Sequence, residues 1–206
     1  MNSIQKLTEF FTEFPGIGPR QARRFVYFLL TRNPEYLQQL TRLISELKKD
    51  IRVCQSCFRF FQDSNHETDL CDICRNTSRD LTSLMIVGRD ADLESIEKSR
   101  SFQGLYFILG GSVPILEKNP ESRIREKELL TIVQERAQNN NLQEIIIAVN
   151  ATPEGENTSD YVENILRPIT SQYTIKISHL GRGISTGTEL EYSDSDTIKN
   201  ALKNRQ

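Results

Sequence analysis

Cys54 with Cys57 and Cys71 with Cys74 form two C-x-x-C pairs inside one 21-residue stretch, and the chain has no other cysteine. Each C-x-x-C turn brings two sulfurs onto one ion, and four thiolates make the closed tetrahedral shell of a structural zinc, with bonds of about 2.3 Å. A full shell leaves no open position for water, so the expectation is one structural zinc ion per chain and no catalysis at it. Two disulfides, or four unrelated thiols, are the competing readings. The tight clustering favours a metal, and a cytosolic setting disfavours disulfides. His66, in the loop between the pairs, could replace a cysteine, but four thiolates already satisfy the ion.

Pro15-Gly16-Ile17-Gly18-Pro19 separates two apolar-periodic segments and is followed by Arg20, Arg23 and Arg24. Gly16 and Gly18 leave backbone N–H groups unobstructed at a helix start, where unpaired donors and the dipole favour a phosphate. Arg20 and Arg24 stand i,i+4 on one helix face, with Arg23 beside them and Ala22, Phe25 and Val26 opposite. Together these resemble a helix-hairpin-helix, a binder of the DNA backbone without sequence preference. The plainer alternative is a helical hairpin with a solvated basic face.

Ala148-Val149-Asn150-Ala151-Thr152-Pro153-Glu154-Gly155-Glu156 is similar to the Toprim motif of topoisomerases and primases. There an Asp-x-Asp pair, a Glu-Gly-Glu and a glutamate from the first strand hold Mg²⁺, which prefers hard, charged oxygens. Here Asn150 and Thr152 occupy the Asp-x-Asp positions and Gly88 stands at the first-strand corner. Glu154 and Glu156 alone are a poor Mg²⁺ site, so catalysis is not expected, although the acidic edge suits a basic partner. Ordinary first-turn acids at a helix start would also account for both glutamates. Gly181-Arg182-Gly183-Ile184-Ser185-Thr186-Gly187-Thr188 lacks the lysine and spacing of a phosphate loop and reads as a loop or subunit contact. Phe58, Phe60 and Phe61 suit packing around a metal site as well as base stacking.

The elements that must position these residues follow from periodicity. Helices are expected over Ser3 to Phe14, from Pro19 to about Arg32, and from an Asn33 cap and Pro34 to about Asp50, with Leu37, Leu40, Ile44 and Leu47 facing inward. Beyond the cysteines, strands at Ser83–Val87, Leu105–Leu109, Glu144–Val149 and Thr174–His179 alternate with helices at 91–99, 121–139, 158–168 and 194–204. Such alternation predicts a mostly parallel sheet covered on both faces, with ligands met at the strands' carboxyl ends. The fold class expected is therefore α/β with an N-terminal all-α part. At 206 residues and a formal charge of −2 the chain can bury a proper core, and residues 1–60 carry ten Lys/Arg against five Asp/Glu. The basic end is where a polyanion should bind. No apolar run approaches a membrane span, so a soluble cytoplasmic protein without an export signal is expected.

This order of parts, ending in Leu180-Gly181-Arg182-Gly183 and Glu189-Leu190-Glu191-Tyr192, resembles the bacterial RecR family of recombination mediators over essentially the whole chain. The resemblance implies a helix-hairpin-helix DNA-binding domain at 1–52, a zinc finger at 53–79, a Toprim domain at 80–178 and a C-terminal loop and helix at 179–206. It implies a nucleoid-associated homotetramer that binds gapped, single-stranded or junction DNA, joins RecO or RecF and promotes RecA loading in repair. DNA-contacting positions carry over to Arg20 and Arg24, zinc ligands to the four cysteines, and partner-binding glutamates to Glu154 and Glu156. Two departures stand out: a longer loop between the cysteine pairs, and Gly88-Arg89-Asp90-Ala91 in place of the family's Glu-Glu-Pro-Lys. The alternatives are a Mg²⁺-dependent Toprim nuclease or primase-like enzyme, and a zinc-dependent protein-interaction adaptor.

Overall fold

The computed structural model describes residues 1–63, 68–139, 142–181, 183–184, 187 and 189–203, which places His66 and Arg182 outside the described residues. The chain forms two compact units, Met1–Ile51 and Arg52–Gln206.

The first unit holds α1 (Ser3–Thr12), α2 (Pro19–Leu30) and α3 (Pro34–Glu46). Asn2 and Gln5 cap α1 reciprocally through side chain and backbone, and the Asn33 side chain accepts from the Tyr36 N–H at 2.9 Å to start α3. α1 packs along α2, where Ala22 and Val26 are fully buried. The expectation that α3 turns its whole apolar stripe inward needs correction: Leu37 and Leu40 are half-buried, while Ile44 and Leu47 are each 64 % exposed. Three short helices cannot close a core around so many large side chains. The apolar faces instead line an open groove that includes Leu7, Phe11, Leu29, Leu37 and Ile44.

β1 (Ile51–Val53), which starts at the last residue of the first unit, and β2 (Phe60–Gln62) pair around the first two cysteines, and α4 (Asp72–Arg75) carries the last. Elements of three or four residues are too short to show a period, and sequence reading missed all three. There follow β3 (Ser83–Val87), α5 (Asp90–Ser99), β4 (Leu105–Ile108), α6 (Glu126–Asn139), β5 (Glu144–Ala148), α7 (Pro153–Tyr173), β6 (Lys176–His179) and α8 (Ser195–Lys203). The four long strands form one parallel sheet in the order β4-β3-β5-β6, with Leu84 opposite both Leu105 and Ile145. Leu84, Ile86, Phe107, Ile108 and Ile145 are fully buried, as strands covered on both faces require.

α7 is longer than the expected 158–168. Thr152 caps it by accepting from the Gly155 N–H at 3.1 Å, with Pro153 in its first turn, and it runs on through Pro168. Pro168 and Asn164 are both exposed, so the carbonyl that proline leaves without a donor meets water. α6 starts later than expected because residues before it are held on the sheet's edge: the Arg125 N–H donates to the Leu109 carbonyl and its Nη1 to the Ile108 carbonyl, both at 2.9 Å.

Candidate functional site

The cysteine segment folds as a compact knuckle. The Phe58 N–H donates to the Cys54 carbonyl and the Cys54 N–H to the Arg59 carbonyl, both at 2.9 Å, with Phe58 in the left-handed region at φ 62°. Cys71 caps α4, whose Arg75 N–H donates to the Cys71 carbonyl at 3.0 Å. The result brings all four sulfurs within 4.8 Å of one another. Cys57 Sγ and Cys71 Sγ stand 3.6 Å apart, close to the edge of about 3.8 Å that a tetrahedron of metal–sulfur bonds near 2.3 Å requires. Cys54, Cys57 and Cys71 are fully buried and belong to the same core as the sheet. Crowding sets the thiols against one another: hydrogen bonding with Cys54, above all, pushes Cys57 and Cys74 up beyond the ordinary thiol range. A divalent ion replaces the shared protons and removes that conflict. The donor set fits a metal, and Cys54, Cys57, Cys71 and Cys74 would hold it; its contribution would be structural cross-linking.

The knuckle is tied to the sheet. The Ile108 N–H donates to the Cys57 carbonyl at 2.9 Å, Phe58 packs at a tilt against Phe107 with ring centroids 5.3 Å apart, and the Phe60 N–H donates to Asp90 Oδ1 at 2.8 Å. Asp90 is one of the residues at which the chain departs from Glu-Glu-Pro-Lys, so the altered corner receives the cysteine knuckle.

In the helical unit, Gly16 adopts φ +75°, a left-handed turn that glycine enters without strain, and the Ile17 N–H closes back on the Phe14 carbonyl at 3.0 Å. Gly18 caps α2 with no side-chain hydrogen bond, which leaves the first-turn N–H groups open to an anion. Arg20, Arg23 and Arg24 are all exposed, opposite buried Ala22 and Val26. Among the described residues none of the three forms an ion pair, and Arg24 donates to the amide of Gln21 at 3.3 Å.

At the carboxyl ends of β3, β4 and β5 lies a cleft of about 200 Å³, lined by Gly88, Asp92, Ser112, Asn150, Glu154 and Thr158 among others. The strand order reverses here, β4 lying on one side of β3 and β5 on the other, which is where open parallel sheets present a crevice. The two glutamates of the Glu-Gly-Glu stretch do not act on one spot. Glu154 faces this cleft and accepts from the Ser112 hydroxyl, while Glu156 lines a second cleft with Gly181, Asp194 and Asn200. Gly155 between them is buried against the chain: a Cβ there would stand 1.9 Å from the Asn150 carbonyl oxygen.

Three family models match the chain: the Toprim domain over residues 82–180, the RecR helix-hairpin-helix over 4–48 and the RecR C-terminal model over 183–206. Proteins named Recombination protein RecR match along their length. The one from Lactobacillus acidophilus is 32% identical over 98% of this chain and 96% of its own, and that from Brachyspira hyodysenteriae 35% over 100% and 98%. The one from Ureaplasma urealyticum is 35% identical over 98% of this chain and 95% of its own. The chain belongs to the RecR family. That family places it in recombination and repair, and gives the helical unit and the sheet unit their names.

Within this RecR Toprim domain, sequence reading missed Asp92, Ser112 and Thr158. Asp92 Oδ2 accepts from the Arg89 N–H at 2.9 Å and would stand 3.2 Å from a Cβ at position 88. The Thr158 hydroxyl accepts from the Val113 N–H at 2.8 Å and donates to the Glu154 carbonyl at 2.7 Å. Asp92, in the first turn of a helix that opens at the strand end, fits only the general preference for acids there; Ser112 and Thr158 carried no signal. No helix among the described residues is long and apolar enough to cross a membrane.

Proposed function

We propose that the chain is a non-enzymatic, DNA-binding recombination mediator that acts with RecO- and RecF-type proteins at gapped, single-stranded or junction DNA to promote RecA loading. The observation that carries the reading is the glycine turn of the helix-hairpin-helix, uncapped by any side chain and flanked by Arg20, Arg23 and Arg24, exposed and without ion pairs among the described residues. Gly16 and Gly18 supply backbone donors to one phosphate and the arginines reach its neighbours. A single turn makes few contacts, so affinity rests on repeating it in a ring-shaped homotetramer. The open apolar groove of the helical unit, of the kind that marks interaction surfaces, supports assembly.

In this reading the four cysteines hold one structural zinc, the metal that a closed tetrathiolate shell suits best. The divisions at 52/53, 79/80 and 178/179 separate DNA binding, metal knuckle, Toprim domain and C-terminal segment. Glu154 and Glu156, exposed in the first turn of α7, offer two separate acidic contacts to basic partners. Against an enzymatic role stands the composition of the Toprim cleft: Gly88, Asn150 and Thr152 are where phosphodiester chemistry needs carboxylates.

Fluorescence anisotropy on a gapped duplex at low salt tests the proposal. The Arg20→Glu/Arg24→Glu variant should lose binding while its thermal unfolding stays unchanged. Binding equal to that of the unaltered chain would overturn the assignment of the turn.

A further inference from the structure

Arg136 sits in the last turn of α6, 5 % exposed. Its Nη2 donates to Ser56 Oγ at 2.9 Å, and Ser56 lies between Cys54 and Cys57. Its Nη1 is the one buried side-chain nitrogen or oxygen among the described residues with no hydrogen-bond partner. The side chain lines a cleft beside the cysteine centre together with Ser56, Leu70, Cys74 and Glu135. No carboxylate forms an ion pair with it among the described residues.

A guanidinium in this position is costly unless an opposite charge is close. Burial pulls its pKa down, and the groups that oppose that pull are, in order, Cys74, Cys57, Cys54 and the neighbouring Glu135. The cysteine centre has the complementary problem. Four thiolates around one divalent ion leave the site dianionic, and three of its four sulfurs belong to fully buried residues. A dianion in the core needs a cation or donors beside it, and residues around a metal's ligands commonly provide them. The backbone contributes the Cys71 N–H, 3.4 Å from Cys54 Sγ, the Cys57 N–H to Cys54 and the Cys74 N–H to Cys71, and such donors are neutral and cancel no net charge.

We infer that Arg136 is the counter-cation of the four-cysteine metal centre, held by Ser56 and presented from the Toprim domain's α6, so that metal loading and the seating of α6 are energetically coupled. The inference rests on the metal reading given under Proposed function. Arg136 would be a positioning residue: it touches no metal, and it sets how stable the loaded site is. Each charge makes the burial of the other tolerable, and emptying the centre leaves the arginine stranded.

The test uses the full chain and its Arg136→Met, Arg136→Gln and Arg136→Lys variants. Zinc affinity is measured by competition with a colorimetric chelator, and thermal unfolding is followed with and without zinc. Arg136→Met should bind zinc 10- to 100-fold more weakly, roughly the cost of losing such a supporting residue. Without zinc it should unfold no lower than the unaltered chain, because a stranded charge has been removed. Arg136→Lys, which keeps the charge, should bind zinc more tightly than either neutral variant. Arg136→Gln, which keeps polarity but not charge, carries the test if the methionine variant fails to fold: zinc affinity equal to that of the unaltered chain overturns the inference. Equal destabilisation of Arg136→Met with and without zinc also overturns it, since packing alone would then explain the residue. An unaltered chain that binds no zinc would sink the metal reading, and this inference with it.

Discussion

The cysteine knuckle and the glycine–arginine turn are each built on a short, recognisable run of residues, yet they stand at opposite extremes of burial. The knuckle's sulfurs lie in the core of the sheet unit, and its backbone is bonded to β4 and to α5. The turn's arginines are exposed and have no ion pairs among the described residues. Burial raises the cost of every unpaired charge, so the knuckle's chemistry belongs to folding; exposure keeps the arginines solvated at little cost, so theirs is free for a ligand. A residue that does chemistry in the first region should be costly to change, and one in the second should be silent until DNA is added.

The widest gap between the two regions should appear on removing the zinc proposed for the four cysteines. A structural zinc supplies on the order of 10 kcal/mol of binding free energy that is also folding free energy. Stripping it with a chelator, or making Cys57→Ala, should therefore lower the unfolding temperature of the sheet unit more than any other single change. Calorimetry with and without zinc checks this, and an unaffected transition would break the comparison.

If burial is what separates the regions, Gly155 should behave like the cysteines although it lies in the Glu-Gly-Glu stretch. With a Cβ placed 1.9 Å from the Asn150 carbonyl oxygen, Gly155→Ala must push the start of α7 off the end of β5. A loss of about 3 kcal/mol, or roughly 6–12 °C in Tm, is expected by thermal denaturation.

Arg20→Glu/Arg24→Glu sharpens the other side. Its Tm should stay within about 1 °C, as for surface substitutions generally. In the milder Arg20→Gln/Arg24→Gln variant, which keeps measurable binding, the slope of log affinity for DNA against log salt should fall by about 2, one for each phosphate contact removed. Among changes to the buried region the smallest effect should come from Asp90→Ala, which removes the acceptor for the Phe60 N–H near the surface and should cost about 1 kcal/mol. Faster hydrogen exchange at the Phe60 amide, with DNA affinity unchanged, is the expected readout.

Much of the fold could be read along the chain because its signals are local. The Asn33-Pro34 start of α3 needs only the next few residues, and the apolar runs of β3, β4 and β5 lie in strands covered on both faces. Where reading along the chain failed, the deciding partner lay far away in sequence. α6 starts late because Arg125 is held by carbonyls of Ile108 and Leu109. Ile44 and Leu47 look like core residues by period but find too little structure to cover them.

The same division holds for the candidate site. Residue type and spacing alone determined that the thiols form two closed pairs suited to one ion and that three arginines share the start of one helix, since a C-x-x-C turn and an i,i+4 pair close within a single turn of chain. Only the tertiary structure decided that Glu154 and Glu156 face different clefts, that Asp90 receives the knuckle, and that Arg136 stands beside the cysteines from 80 residues beyond Ser56. Local geometry follows from the covalent chain, whereas a charge's partner depends on which distant segments the core packs together.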